Sequence, residues 1–99
     1  MFETLTSKNF LTKWQQGSLH VLDVRRPAEY KEGHIPQAQN LPLEDLPQLF
    51  TQLAKEEHYY LICRSGRRSE QAAQFLSERG YHVTNVAGGM NAWTGKQTS

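Results

Sequence analysis

The stretch His58–Gly80, HYYLICRSGRRSEQAAQFLSERG, decides how the rest of the chain is read. Tyr59, Tyr60, Leu61 and Ile62 form a short apolar run of β-prone residues, and the only cysteine in the sequence, Cys63, follows where that strand stops. Arg64, Ser65, Gly66, Arg67, Arg68 and Ser69 come next. Beyond them Ala72, Ala73 and Leu76 fall on one helical face, and Gly80 supplies a stop. The order strand, short polar loop, helix can turn successive backbone N–H groups toward one point above the helix N-terminus, where anions are favoured. A thiol placed there ionises easily: free cysteine titrates near ~8.5, and helix N-termini with neighbouring cations bring this down to roughly 3.5–7.5. A lone cysteine after an apolar strand is usually a small buried residue without chemistry. The sequence Arg-Ser-Gly-Arg-Arg argues otherwise, because those charges need water or anionic partners. The expectation is a Cys63 thiolate in an anion-binding loop.

Outward from this stretch, ninety-nine residues are read as one domain, with a core from about residue 2 to 95 and a frayed C-terminal tail. A net charge of +1 gives no general attraction to nucleic acid or membrane. No stretch has the apolar length of a membrane span, and Met1-Phe2-Glu3-Thr4 lacks the basic and apolar regions of a signal peptide, so a cytoplasmic location is expected. One cysteine excludes an intramolecular disulfide and an internal resolving cysteine, and any disulfide or persulfide exchange must involve another molecule. His20, His34, His58 and His82 lack zinc-site spacing; no metal and no cofactor are assigned.

Toward the N-terminus, Phe2–Leu5 reads as a small strand or extended lead-in and Thr6 as an N-cap. Leu5 and Phe10 form a hydrophobic staple across that cap, and Phe10, Leu11 and Trp14 make the apolar face of a helix ending near Gly17. His20–Val24 reads as a buried strand. Pro27 suits the first turn of a short helix through Glu32, closed by Gly33. Residues 34–38 are read as loop and 40–43 as a short extended piece at most. Between Leu43 and Lys55, Leu46, Leu49, Phe50 and Leu53 follow a helical period, interrupted early by Pro47 at a candidate second helix start. Val83–Val86 is a final strand, and Gly88-Gly89 lets the backbone turn tightly before a helical turn carrying Trp93. Alternating strands and helices imply an α/β domain with a mainly parallel central sheet and helices on both faces. Ligands of such sheets bind beyond the carboxyl ends of the strands, which brings Asp23, Arg25, the Cys63 loop and Gly88-Gly89 to one rim.

Three pieces in register, LDVRRPAEYKEGHIP, CRSGRRS with its helix, and VAGGMNAW, resemble the single-domain rhodanese family of sulfurtransferases over nearly the whole chain. The resemblance implies a rhodanese-like domain in which Cys63 carries sulfane sulfur. The family's six-residue loop maps onto Cys63 through Arg68, with Gly66 at its glycine position and Arg64 as the basic residue after the cysteine. Asp23 and Arg25 match the family's Asp-x-Arg motif and support the rim. Gln37 departs from the pattern, since glycine usually follows His-Ile-Pro, and this bears on the local turn.

The implied chemistry is attack of the thiolate on the outer sulfur of thiosulfate or a persulfide, leaving a Cys63 persulfide that cyanide or a thiol then relieves. Arg64, Ser65, Gly66, Arg67, Arg68 and Ser69 are the donor-binding candidates, through N–H groups and positive charge. Asp23 is expected to fix the rim rather than react, and His34 to be a turn residue satisfied by hydrogen bonds. The partners are small sulfur donors and thiophilic acceptors, with a protein persulfide donor or acceptor as a further possibility, and the chain is expected to be a monomer. Two rivals remain. A cysteine-dependent phosphatase or arsenate reductase needs arginine at position 69, where this chain has Ser69 and carries Arg68 one residue early. A persulfide carrier or docking module for a protein partner would use the same domain without its own small-molecule turnover.

Overall fold

The computed structural model describes residues 2–99. Five strands, β1 (Glu3–Thr6), β2 (His20–Asp23), β3 (Gln39–Asn40), β4 (His58–Ile62) and β5 (His82–Ala87), form one sheet in the order β1-β5-β4-β2-β3, and every pairing is parallel. Four α-helices accompany them: α1 (Ser7–Gln15), α2 (Pro27–Glu32), α3 (Leu46–Leu49) and α4 (Arg67–Ser77). This is the expected α/β fold. No described helix is long and apolar enough to cross a membrane.

Strand alternation sorts the core into two layers. Val21, Tyr60, Ile62 and Val86 point to the face covered by Phe10 of α1 and by Trp93. Leu22, Leu61, Cys63 and Val83 point to the other face, against Ala72, Ala73 and Leu76 of α4 and Leu46 of α3. Cys63 therefore has the parity of Leu61 and turns toward the helix that follows its own loop. The start of α1 is built as its residues dictate. Thr6 Oγ1 accepts the Asn9 N–H at 3.1 Å, and Leu5 and Phe10 on either side of the cap join one apolar cluster.

Three segments differ from the sequence reading. Residues 43–53 do not make one helix. They form a 3-10 turn (Leu43–Asp45), the single turn of α3 and a second 3-10 turn (Phe50–Gln52), with Pro47 near the start of α3. Gln39–Asn40 is a true edge strand on β2. The residues after Gly95, expected as a frayed tail, carry hydrogen bonds to the rest of the domain. His34 and Thr98 exchange backbone hydrogen bonds of 2.8 Å in both directions, and Trp93 Nε1 donates to the Lys96 carbonyl at 2.9 Å. The polar, apolar-poor tail gave no hydrophobic signal because backbone groups are what hold it.

Candidate functional site

The site begins with register. Parallel pairing of β2, β4 and β5 ends all three strands at one edge: Asp23 lies beside Ile62, and Leu61 beside Asn85. The chain leaves β4 at Cys63 and must reach the start of α4 within a few residues. Gly66 makes this possible with a left-handed φ of 101°, and a Cβ there would come within 3.1 Å of the Gly88 nitrogen.

This turn folds the loop around the sulfur. Cys63 is fully buried, and its Sγ accepts the Gly66 N–H at 3.0 Å and the Ser69 N–H at 3.3 Å. The Ser69 hydroxyl stands 3.4 Å from Sγ and also donates to Asn85 Oδ1 at 2.6 Å. Burial is the largest single influence on the thiol and pushes its pKa up. The Ser69 hydroxyl and the N–H groups of Ser69, Gly66 and Ser65 together outweigh it, so the pKa lies below the ordinary thiol value. The cradle is made of uncharged donors from the backbone and one hydroxyl.

From below, the Gly88-Gly89 turn braces the loop. Met90 N donates to the Cys63 carbonyl at 2.7 Å and Asn91 N to the Arg64 carbonyl at 2.9 Å. Gly89 has φ 52°, and a Cβ on it would sit 2.2 Å from the Cys63 carbonyl oxygen. Only glycine lets the two backbones approach this closely.

Asp23 and Arg25 form a buried pair, 0% and 5% exposed, a degree of burial that rules out a solvated pair. Asp23 accepts the Arg25 N–H at 3.0 Å and its guanidinium at 2.7–3.1 Å, and Arg25 Nη2 also donates to the Gly33 carbonyl at 2.8 Å. Both carboxylate oxygens of Asp23 accept from Arg25 and the guanidinium reaches on to Gly33, so the pair ties β2 to the end of α2. His34 is likewise consumed locally: Nδ1 lies 2.8 Å from the Tyr30 carbonyl and the ring stacks on Tyr30. Gln37 takes the left-handed conformation that glycine would, φ 69°, within a Pro36-led turn closed by Ala38 N donating to Ile35 O at 3.0 Å. The turn survives the substitution.

The charges at the loop differ from the sequence expectation. Arg68 makes a two-pronged contact with Glu29, at 2.7 and 3.0 Å, and Arg64 reaches the same carboxylate at 3.1 Å. Among the described residues only Arg67 of the three loop arginines has no ion pair. Glu29, on α2, is held down to a pKa of about 2, chiefly by the Arg68 hydrogen bond and against the opposing effect of burial. Sequence reading passed over both Glu29 and Asn85. Glu29 reads as a helix-cap acid, and it does accept the Arg26 N–H at 3.0 Å. Nothing local marks its second use.

The rhodanese-like domain family matches residues 6–96. The chain belongs to that family. Its relative YtwF of Bacillus subtilis, which carries a provisional sulfurtransferase name, is 44% identical over 78 residues, covering 79% of this chain and 76% of that one. A protein of Allochromatium vinosum named sulfurtransferase is 40% identical over 74 residues, 74% of this chain and 69% of that one. Among solved structures, a rhodanese-like domain protein from Staphylococcus aureus superposes with a TM-score of 0.88 at 30% identity, covering 96% of this chain and 94% of that one. The three sequence pieces that suggested a rhodanese-like domain all lie within the matched span.

Proposed function

We propose that this rhodanese-like chain is a cytoplasmic sulfurtransferase that carries sulfane sulfur on Cys63, taking it from thiosulfate or a persulfide and passing it to cyanide or a thiol. The observation that carries this reading is the ring of donors converging on one buried sulfur, from Gly66, Ser69 and Ser65. Such a ring stabilises a thiolate before reaction and a persulfide anion after it without offering a competing base. The thiolate attacks the outer sulfur of the donor, the bond from that sulfur to its carrier breaks, and sulfite or a thiolate leaves with the electron pair. The acceptor then attacks the outer sulfur of the persulfide, and the Cys63 thiolate is the leaving group. No net redox change and no external proton donor is needed.

The asymmetry of the loop favours this over phosphoryl chemistry. Arg68, the guanidinium nearest in sequence to the position a phosphatase would use, is held by Glu29, and position 69 carries a hydroxyl directed inward. The direct test is the intact mass of the protein after thiosulfate or glutathione persulfide, and again after cyanide. One sulfur atom gained, lost to cyanide as thiocyanate, and absent from Cys63→Ser is the expected result. A folded protein with a free thiol that takes sulfur from neither donor would overturn the proposal.

A further inference from the structure

The sulfur-transfer reading rests on Cys63 and its N–H groups, and it leaves a carboxylate unexplained. Glu29 lies between the two arginines that flank the cysteine loop, reaching them across 35 and 39 residues of sequence. Its side chain is 18% exposed, while those of Arg64 and Arg68 are 52% and 32% exposed. Glu29 is thus the least exposed side chain of the three. A loop evolved only to attract a dianion gains nothing from a fixed negative charge in this place. The charge cancels half of what the two arginines provide and holds both guanidinium groups in contacts that a second anion must compete for.

We infer that Glu29 sets the donor class of the sulfur-transfer reaction, disfavouring dianions such as thiosulfate relative to donors with at most one negative charge on the group entering the loop, the class that includes thiosulfonates and persulfides. Repulsion scales with donor charge. Taken at about 6 Å from the entering group and screened as in water, a single carboxylate changes the capture of a dianion by about tenfold and of a monoanion by about threefold. A purely structural Glu29 has no reason to distinguish the two.

Glu29→Gln removes the charge and keeps an oxygen to accept the Arg26 N–H, so α2 retains its cap. Thiosulfate and methanethiosulfonate present the same outer sulfur on a sulfonyl group, with two charges and one, and in each the Cys63 thiolate takes that sulfur while sulfite or the sulfinate leaves. With cyanide as the common acceptor at low ionic strength, kcat/KM should rise in Glu29→Gln by about tenfold for thiosulfate and about threefold for methanethiosulfonate, through KM, and the difference should collapse in high salt. Equal changes for both donors, or equal losses, would overturn the inference and leave Glu29 as a loop brace. Glu29→Ala, which removes the same charge together with the cap, decides the matter if the glutamine variant does not fold.

Alkylation separates this result from the fate of the sulfur-transfer reading. Iodoacetate and iodoacetamide both lose iodide to the thiolate and differ by one negative charge. Their rate ratio at Cys63 should shift toward iodoacetate by about threefold in Glu29→Gln. If neither sulfur donor is used by any form of the protein, the transfer reading falls alone and this ratio still reads the charge at the loop; an unchanged ratio overturns the role given to Glu29.

Discussion

Ser69→Ala isolates one of the contacts on the Cys63 sulfur. The backbone N–H of residue 69 remains, at 3.3 Å from Sγ, as does that of Gly66 at 3.0 Å; only the hydroxyl at 3.4 Å is lost. Hydrogen bonds to a charged group contribute about 1.5–3 kcal/mol at good geometry. This one is long, and its proton is shared with Asn85 Oδ1 at 2.6 Å, so we take about 1 kcal/mol as its worth to the thiolate. About 1 kcal/mol is about a fivefold change in the ionisation equilibrium, and the Cys63 pKa should therefore rise. The sign follows from the burial that opposes ionisation: removing a donor leaves that burial in place with less against it. The same change strips buried Asn85 of its partner and should lower global stability by about 1–2 kcal/mol. The pH dependence of iodoacetamide alkylation reads the first effect and urea unfolding the second. A midpoint that does not move while stability falls would refute the reasoning, because the hydroxyl would then serve Asn85 alone.

Gly89→Ala places a Cβ 2.2 Å from the Cys63 carbonyl oxygen and 2.7 Å from that of Arg64, and should cost about 3 kcal/mol or more in chemical denaturation; Gly17→Ala, with nothing within 4 Å, is the control expected to be close to neutral. Gln37→Gly relieves about 1–2 kcal/mol of left-handed strain at the expense of about 0.5–1 kcal/mol of chain entropy, so the melting temperature should rise by a few degrees. Glu29, depressed from 4.5 to about 2, contributes stability that is fully present above its unfolded pKa and is lost as the pH falls toward about 2. Allowing for the exposure of its arginine partners, that contribution is about 1–2 kcal/mol, and the stability gap between the native chain and Glu29→Gln should narrow by that amount in acid unfolding curves.

Local chemistry made much of this molecule legible. A β-prone run ending at Cys63, a glycine three residues on and an apolar helical face after it gave β4, the loop and α4, because each depends on neighbours in sequence. Thr6 with Leu5 and Phe10 gave the start of α1 for the same reason. Residues 43–53 misled because a helical period survives in sequence when the backbone tightens into 3-10 turns around Pro47. The arginines were read as free charge because their partner lies 35 residues or more away, on a different helix. Asn85 was read only as part of a strand; that its side chain meets Ser69 follows from how α4 packs on β5, which no window of sequence contains.

The order of the sheet carries a consequence for the newly made chain. β1 has one neighbour, β5, so Glu3–Thr6 waits for His82–Ala87 before any of its ladder can form. The Gly88-Gly89 turn that braces the cysteine loop arrives later still. Folding must close a loop of nearly the entire chain, a slow class of event. Until it does, the Cys63 loop lacks the backbone bonds from Met90 and Asn91 that brace it in the finished domain.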